Sequence, residues 1–307
     1  MLILAVESSC DETAVALVED GRRVLTDQIF SQADLHAVYG GVVPEIAARS
    51  HLEVISLLAE RALTVTGKTR ADIDAVACTY APGLIGAVLV GVNFAKSAAL
   101  ALGVPLIPVH HIRGHIAANY IAFPALEPPF LCLAISGGNT MLVDVRDYTD
   151  MAVLGRTRDD AAGECFDKSA RVMGLGYPGG KPIDDLAQKG DDRRYELPRP
   201  SVNGGGNPYD MSFSGLKTAV INIAHHCEQT GEELDRPGLA ASLCRAVSES
   251  LVGRTMAAAE ELGCGKIAVA GGVAPIPASG PTSLRPAAGR DGSCTSRPCV
   301  CAGTTGP

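Results

Sequence analysis

Residues 130–145 read FLCLAISGGNTMLVDV, and their reading decides the fold. Residues 130–135 form an unbroken apolar run of strand length. Residues 136–140, Ser-Gly-Gly-Asn-Thr, are a polar turn with two adjacent glycines, and residues 141–145 form a second apolar run. Residues 151–156 make a third strand. The same order opens the chain. Residues 2–7 are a strand, residues 8–13 a polar turn, and residues 14–18 a second strand, and Asp20-Gly21 is a hairpin turn into a third strand at residues 24–29. Helical patterns follow each unit. In the first half they cover residues 45–63 and 85–102, with a further strand at 73–80 and a short buried strand at 106–109; in the second they include residues 216–226. The proline-rich stretch 124–129 separates the halves.

A strand–turn–strand–strand unit that occurs twice, each time followed by helices, is the pattern of a duplicated two-domain α/β fold. It resembles the actin/sugar-kinase/Hsp70 superfamily, whose two lobes hold a nucleotide between them. The expected lobes are residues 1–125 and 126–274. The bulk composition agrees: 307 residues, 47% hydrophobic and 20% charged, are enough for two cores. The net charge of −8 does not attract a polyanion. A nucleic-acid site on this chain is therefore a local basic patch or is completed by a partner.

The opening MLILAVESSCDE lacks a basic segment, and its apolar run is too short for a signal peptide or a membrane span. The apolar run 85–102 is interrupted by Gly91, Asn93, Lys96 and Ser97 and reads as a buried helix. No membrane association is expected, and the chain is expected in the cytoplasm. Ten cysteines without a CxxC pair are expected to be reduced thiols.

Several constellations can carry chemistry. The two polar turns, Glu7–Ser8–Ser9 with Asp11 and Glu12, and Ser136–Thr140, are expected to face each other across the cleft. Glycine lets backbone approach a phosphate, and free N–H groups there bind its oxygens; two ordinary hairpin turns are the alternative. His111 and His115 are spaced i, i+4, so on a helix both imidazoles project from one face and can share a metal ion. Ile112 follows His111, where a zinc peptidase needs its Glu. The string AAGECFDK, residues 161–168, places Glu164 and Asp167 one helical turn apart with Lys168 beside them. Residues 177–182, YPGGKP, are a rigid turn entering a helix that carries Asp184 and Asp185, a ready anion or ribose site or else an interhelical loop. The serines of SFSGLKT, residues 212–218, read as an N-cap rather than a phosphate loop, and His225 and His226 as structural residues at the end of the helix that follows.

In order along the chain stand ESSCDET, YGGVVPEIAARSH, APGLIGAVLVG, VHHIRGH, ISGGNT, DDAAGECFDK, GYPGG, SFSGLKTA and AVAGGVA. From residue 1 to about residue 274 the chain resembles the family of tRNA N6-adenosine threonylcarbamoyltransferases. The resemblance implies a duplicated actin-like fold. It also implies transfer of threonylcarbamoyl from threonylcarbamoyl-AMP to N6 of adenosine 37, in tRNAs that read codons beginning with A. It implies one iron (Fe2+) or zinc ion per subunit, with His111 and His115 as two ligands. The adenylate is expected at Ala134, Ile135, Ser136, Gly137 and Gly138, with Asp167, Gly180 and Asp184. No protein nucleophile is implied. The implied partners, besides tRNA, are a paralogous non-catalytic subunit and a small ATPase, with a third enzyme making the adenylate. One departure is Asn139, where many members carry His. Arg193, Arg194 and Arg199 are candidate tRNA contacts. Two other readings remain: an ATP-dependent kinase or ATPase of the same fold, and a non-catalytic scaffold like the paralogous subunit.

After Ala274 the resemblance stops. The family continues with a string like ANSRLRA, whose Asn lies at the substrate, whereas this chain reads Pro275, Ile276, Pro277, Ala278, Ser279, Gly280, Pro281. Read one base earlier, these codons are compatible with Ala-Asn-Ser-Arg-Leu-Arg-Ala. The same shift over residues 300–307 is compatible with Leu-Cys-x-Asp-Asn-Gly-Ala, similar to the family's block whose Asp is the third metal ligand. The expectation is a one-base deletion near codon 274 and an unstructured out-of-frame tail, 275–307, in which Cys294, Cys299 and Cys301 have no metal role.

Overall fold

The computed structural model describes residues 1–199 and 207–272, and the backbone of Cys299–Ala302. It divides into two compact units, Met1–Ala117 and Ala118–Gly306.

The first unit is built on β1 (Leu2–Glu7), β2 (Glu12–Glu19) and β3 (Arg23–Ser31). The helices α1 (Ala33–Ala37) and α2 (Pro44–Thr66) follow, then β4 (Ala75–Ala81), α3 (Ile85–Leu102), β5 (Leu106–His110) and α4 (His111–Ala122), whose last turns belong to the second unit. The sheet order is β3-β2-β1-β4-β5. β1 runs antiparallel to β2, with Leu2 opposite Glu19 and Glu7 opposite Ala14, and parallel to β4. Period-two alternation buries Leu2, Leu4 and Val6 on one face of β1, against Ile55, Ala59 and Ala62 of α2 and Ala95 and Ala99 of α3. α2 begins with Pro44, whose missing N–H costs nothing at a first helical turn, and ends at Gly67 with φ of 66°.

The second unit contains β6 (Phe130–Ile135), β7 (Thr140–Val145), β8 (Met151–Arg156), α5 (Ala162–Val172), α6 (Gly180–Ala187), α7 (Ser214–Thr230), α8 (Arg236–Glu261), β9 (Lys266–Ala270) and β10 (Cys299–Ala302). Its sheet, β10-β9-β6-β7-β8, repeats the first strand for strand. β6 is antiparallel to β7 and parallel to β9, as β1 is to β2 and β4. Even the bulge recurs between the second and third strands, at Leu17/Val18 and at Leu142/Val143. Every residue of β6 is buried, so this strand is covered on both faces.

Four expectations need correction. First, α3 is not a buried helix within its unit. Ala87, Gly91, Ala95 and Ala99 form its buried stripe, while Ile85 and Leu100 are 82% and 86% exposed. A helix apolar over most of its length carries little amphipathic signal to say which side is covered. Second, β5 is an edge strand with Leu106 and Ile107 exposed, not a buried one. Third, the N-cap of α7 is Phe213, without a side-chain cap; the carboxylate of Asp159 accepts the Phe213 and Ser214 N–H groups instead, at 2.7 and 3.2 Å. α7 also runs on to Thr230, so His225 and His226 do not lie in its last turn. Fourth, Cys299–Ala302, in the tail expected to lack structure, pair parallel to β9, whose free edge offers unpaired backbone groups. The rest of that tail from Val273 on, with Cys294 and the codon-shift argument, lies outside the described residues.

Candidate functional site

In the first unit the histidine pair is presented by α4. Ile112 and Ile116, also spaced i, i+4, are 3% and 1% exposed and fix which side of the helix faces the core. His111 and His115 are thereby turned about 100° from that side. Their Nε2 atoms lie 3.0 Å apart, with the rings edge-to-face at a centroid distance of 4.4 Å. Two nitrogens on a tetrahedral zinc ion stand about 3.3 Å apart, so the pair needs only a small adjustment to share an ion. Imidazole nitrogen suits both iron and zinc. Burial lowers the pKa of His115 to about 4, with His111 adding to the effect, so its ring is neutral at pH 7, as a ligand must be. No third His, Cys, Asp or Glu joins them into a ligand cluster among the described residues.

Behind His111 lies a set of contacts from three other elements. Glu7 ends β1, and its Oε2 is 3.3 Å from His111 Nδ1. The Thr79 hydroxyl, on β4, donates to the same oxygen, and the Ser9 N–H donates to Oε1 at 2.5 Å. Ser9 Oγ is 3.2 Å from His111 Nδ1. Burial by itself raises the pKa of Glu7, but the hydrogen bonds from His111, Ser9 and Thr79 outweigh it and hold the carboxyl at about 2. The turn after Glu7 is held in turn. Ser8 Oγ donates to the Ala87 carbonyl of α3 at 2.9 Å, and a Cβ on Gly91 would stand 2.3 Å from that oxygen. A buried chain supports the far side: His51 Nε2 donates to the Cys10 carbonyl at 2.9 Å, and its Nδ1 accepts from Thr13 at 2.7 Å. Gln32 lies between His51 and His36. The string YGGVVPEIAARSH contained His51, but nothing in it pointed to Cys10 or Thr13.

In the second unit, residues 134–138 of the expected anion site lie at the carboxyl end of β6 and in the turn after it. Ala134 and Ile135 are buried in β6, and Ser136 N donates to the Asn139 carbonyl at 2.7 Å, closing the turn. Gly137 and Gly138 stand exposed at its tip, and nothing lies within 4 Å of where their Cβ atoms would be. Gly271, just beyond β9 with φ of 103°, lies so close that its Cβ would meet the Ile135 carbonyl at 2.2 Å; only glycine fits there. The sequence reading passed over Gly271, although the GG of AVAGGVA was the available signal. The start of α5 is tied to the same end, because Ala162 N donates to Thr140 Oγ1 at 2.9 Å. Asp167, one turn further on, accepts the Gly179 N–H at 2.7 Å and so sets the entry to α6, where Gly180 is open and Asp184 follows. Burial, then Asp185, raises the pKa of Asp184. Lys168 turns away from Asp167 to Glu164 and Asp160, at 2.6 and 3.4 Å. Of the candidate basic contacts, Arg193 and Arg199 are exposed, while Arg194 pairs with Asp235 at 3.4 Å and lies over Tyr195.

The duplicated sheet, with a glycine turn at the end of its central strand, defines a class: this is an actin-like α/β protein. Among solved structures it is similar to HypF of T. kodakarensis, at 14% identity over 90% of this chain and 42% of that one, TM-score 0.55. It is also similar to component A of the Acidaminococcus fermentans (R)-2-hydroxyglutaryl-CoA dehydratase, at 15% identity over 89% and 83% of the two chains, TM-score 0.51. At these identities the likeness concerns the fold alone.

Sequence comparison is more specific. The family model described as TsaD, tRNA N6-adenosine threonylcarbamoyltransferase, matches residues 23–278. The tRNA N6-adenosine threonylcarbamoyltransferase of Caldicellulosiruptor bescii is 51% identical over 274 residues, 89% of this chain and 80% of that protein. That of Clostridium botulinum strain 657 is 52% identical over 272 residues, 89% and 79%. The chain belongs to the tRNA N6-adenosine threonylcarbamoyltransferase family, acyltransferases that place a threonylcarbamoyl group on N6 of a tRNA adenosine.

Proposed function

We propose that the donor threonylcarbamoyl-AMP is held in the second unit by Ala134–Gly138, Asp167, Gly180 and Asp184, and one iron or zinc ion by His111 and His115. The observation that carries the reading is the approach of the two half-buried Nε2 atoms to 3.0 Å on one side of α4, with a neutral His115. A bound ion supplies Lewis acidity toward a carbamoyl or phosphate oxygen. The chain's own residues do the rest. Gly137 and Gly138 offer backbone N–H groups to the phosphate, where charge grows as AMP departs. Asp167 keeps the α6 entry in place through Gly179. N6 of the adenosine bonds to the carbonyl carbon, the bond from that carbon to the phosphate oxygen breaks, AMP leaves, and one N6 proton passes to solvent water. The donor is already activated, so no protein nucleophile is needed. The exocyclic amine is a poor nucleophile, and positioning supplies much of the rate. An anticodon-loop adenosine is single-stranded and can be splayed out to reach the donor.

The partners we assign are tRNA, the paralogous non-catalytic subunit and the small ATPase. The outward apolar side chains Leu52, Ile85, Leu89 and Leu100 on α2 and α3 suit a protein partner, and exposed Arg193 and Arg199 suit tRNA phosphates. The substrate tRNA places the protein in the cytoplasm. We further assign the sequence after Ala274 to a shifted reading frame, which deprives this chain of the substrate Asn and the third metal ligand and leaves it nearly inactive.

The test is reconstitution with tRNA, threonine, bicarbonate, ATP and the partner proteins, read by mass spectrometry of the nucleoside. A variant with one base inserted near codon 274 is expected to form the modified adenosine, and the chain as it stands to form almost none. Equal activity of the two refutes the frame assignment; failure of both refutes the site assignment.

A further inference from the structure

The two imidazoles can share an ion only if both Nε2 atoms present lone pairs, and what sets the proton on His111 is decided behind the ring. Its Nδ1 faces two oxygens: Glu7 Oε2 at 3.3 Å and Ser9 Oγ at 3.2 Å. An ionised carboxylate is acceptor-only. Both of its oxygens are already engaged from outside the ring: Oε1 by the Ser9 N–H at 2.5 Å, and Oε2 by the Thr79 hydroxyl. These two donors come from the turn after β1 and from β4, so the carboxylate is anchored independently of α4. A lone pair on Nδ1 would then oppose a fixed anion, whereas an N–H there is satisfied by it. The Ser9 hydroxyl could instead donate to Nδ1 and reverse the tautomer, but that arrangement leaves the anion facing a second lone pair.

We infer that Glu7 is the positioning residue of the histidine pair: its anchored carboxylate holds the His111 proton on Nδ1 and leaves Nε2 free to face His115 and a shared cation. A carboxylate behind a ligating imidazole fixes ring orientation and raises ligand basicity. The proposal rests on the reading of His111 and His115 as metal ligands, and its test separates the two.

The test is a long-range proton–nitrogen NMR experiment on the histidine rings of the full chain without metal, followed by a cobalt(II) titration read by paramagnetic broadening. It is run on wild type and on Glu7→Gln. The substitution keeps the size of the side chain, but its amide must oppose a donor group at one of the two oxygen positions. In the wild type His111 is expected in the form protonated on Nδ1. In Glu7→Gln that form is lost or mixed, and cobalt binds about 10–100-fold more weakly. A wild-type His111 protonated on Nε2 overturns the proposal, as does a Glu7→Gln affinity within about twofold of wild type. If Glu7→Gln does not fold, the wild-type tautomer alone decides. If wild type binds no cobalt while the tautomer is as stated, the metal reading fails and the hold of Glu7 on His111 stands.

Discussion

Gly91 lies inside α3, where helix propensity says that alanine is better by about 1 kcal/mol. The structure reverses that expectation. A Cβ at Gly91 would stand 2.3 Å from Ser8 Oγ and 3.3 Å from Ser8 Cβ. Ser8 is 2% exposed, and its hydroxyl donates to the Ala87 carbonyl at 2.9 Å. The hydroxyl has nowhere to move without giving up that bond, which exposes a buried polar group to a loss of about 1–3 kcal/mol. Forcing α3 away from β1 instead costs about 1–3 kcal/mol of overpacking. Set against the propensity gain, Gly91→Ala is expected to destabilise the protein by roughly 1–3 kcal/mol. The assay is urea unfolding of wild type, Gly91→Ala, Ser8→Ala and the double variant. Removing the hydroxyl removes the closest contact, so the double variant should recover part of the loss, with a coupling of about 1–2 kcal/mol. A Gly91→Ala protein as stable as wild type, or additive effects in the cycle, would refute the close-approach argument.

Three further outcomes are expected. Asp159→Asn removes a carboxylate that accepts from Ser212, Ser214 and two backbone N–H groups, and costs on the order of 1 kcal/mol at pH 7 once screening at this exposed residue is allowed for. Burial raises the pKa of Asp159, but those hydrogen bonds outweigh it and lower the value below 3.8. The stabilisation is therefore complete above about pH 4 and fades as pH falls through the folded value, and urea midpoints of the two proteins should converge there. His51→Ala strands the Thr13 hydroxyl and the Cys10 carbonyl and is expected to cost about 2–4 kcal/mol. Burial lowers the pKa of His51 below 6.5, so the wild type loses stability as pH falls from about 6.5 through the folded value, a slope that calorimetry should find diminished in the variant. Replacing His111 or His115 by Ala in the frame-restored protein removes both bound metal and nucleoside formation; full transfer by a metal-free double variant refutes the metal assignment.

Much of the fold was legible along the chain because its signals are local. Leu2–Glu7, Ile85–Leu102, Phe130–Ile135 and Met151–Arg156 form the elements their apolar runs predict. The strand–turn–strand–strand unit shows its duplication without any knowledge of pairing. The i, i+4 spacing of His111 and His115 carries over directly, because helix geometry places such residues together whatever surrounds them. The glycines at 137 and 138 mark an open turn for the same reason.

What only the tertiary structure decided are the contacts made across long stretches of chain. Glu7 meets His111 because β1 and β4 are neighbours in the sheet and α4 follows the next strand; no spacing in the sequence pairs residues so far apart. Thr79 gave no signal, since a threonine in an apolar strand is ordinary until its hydroxyl is seen to face a carboxylate. The serines of SFSGLKT looked like a cap, but a carboxylate from Asp159 satisfies several donors at once and took the helix start instead. α3 was read as buried because apolar composition reports how much surface prefers to leave water, and not which neighbour covers it. Local periodicity determines elements and their faces. Which faces and polar groups meet is set by sheet order and register, which exist only once the chain has closed on itself.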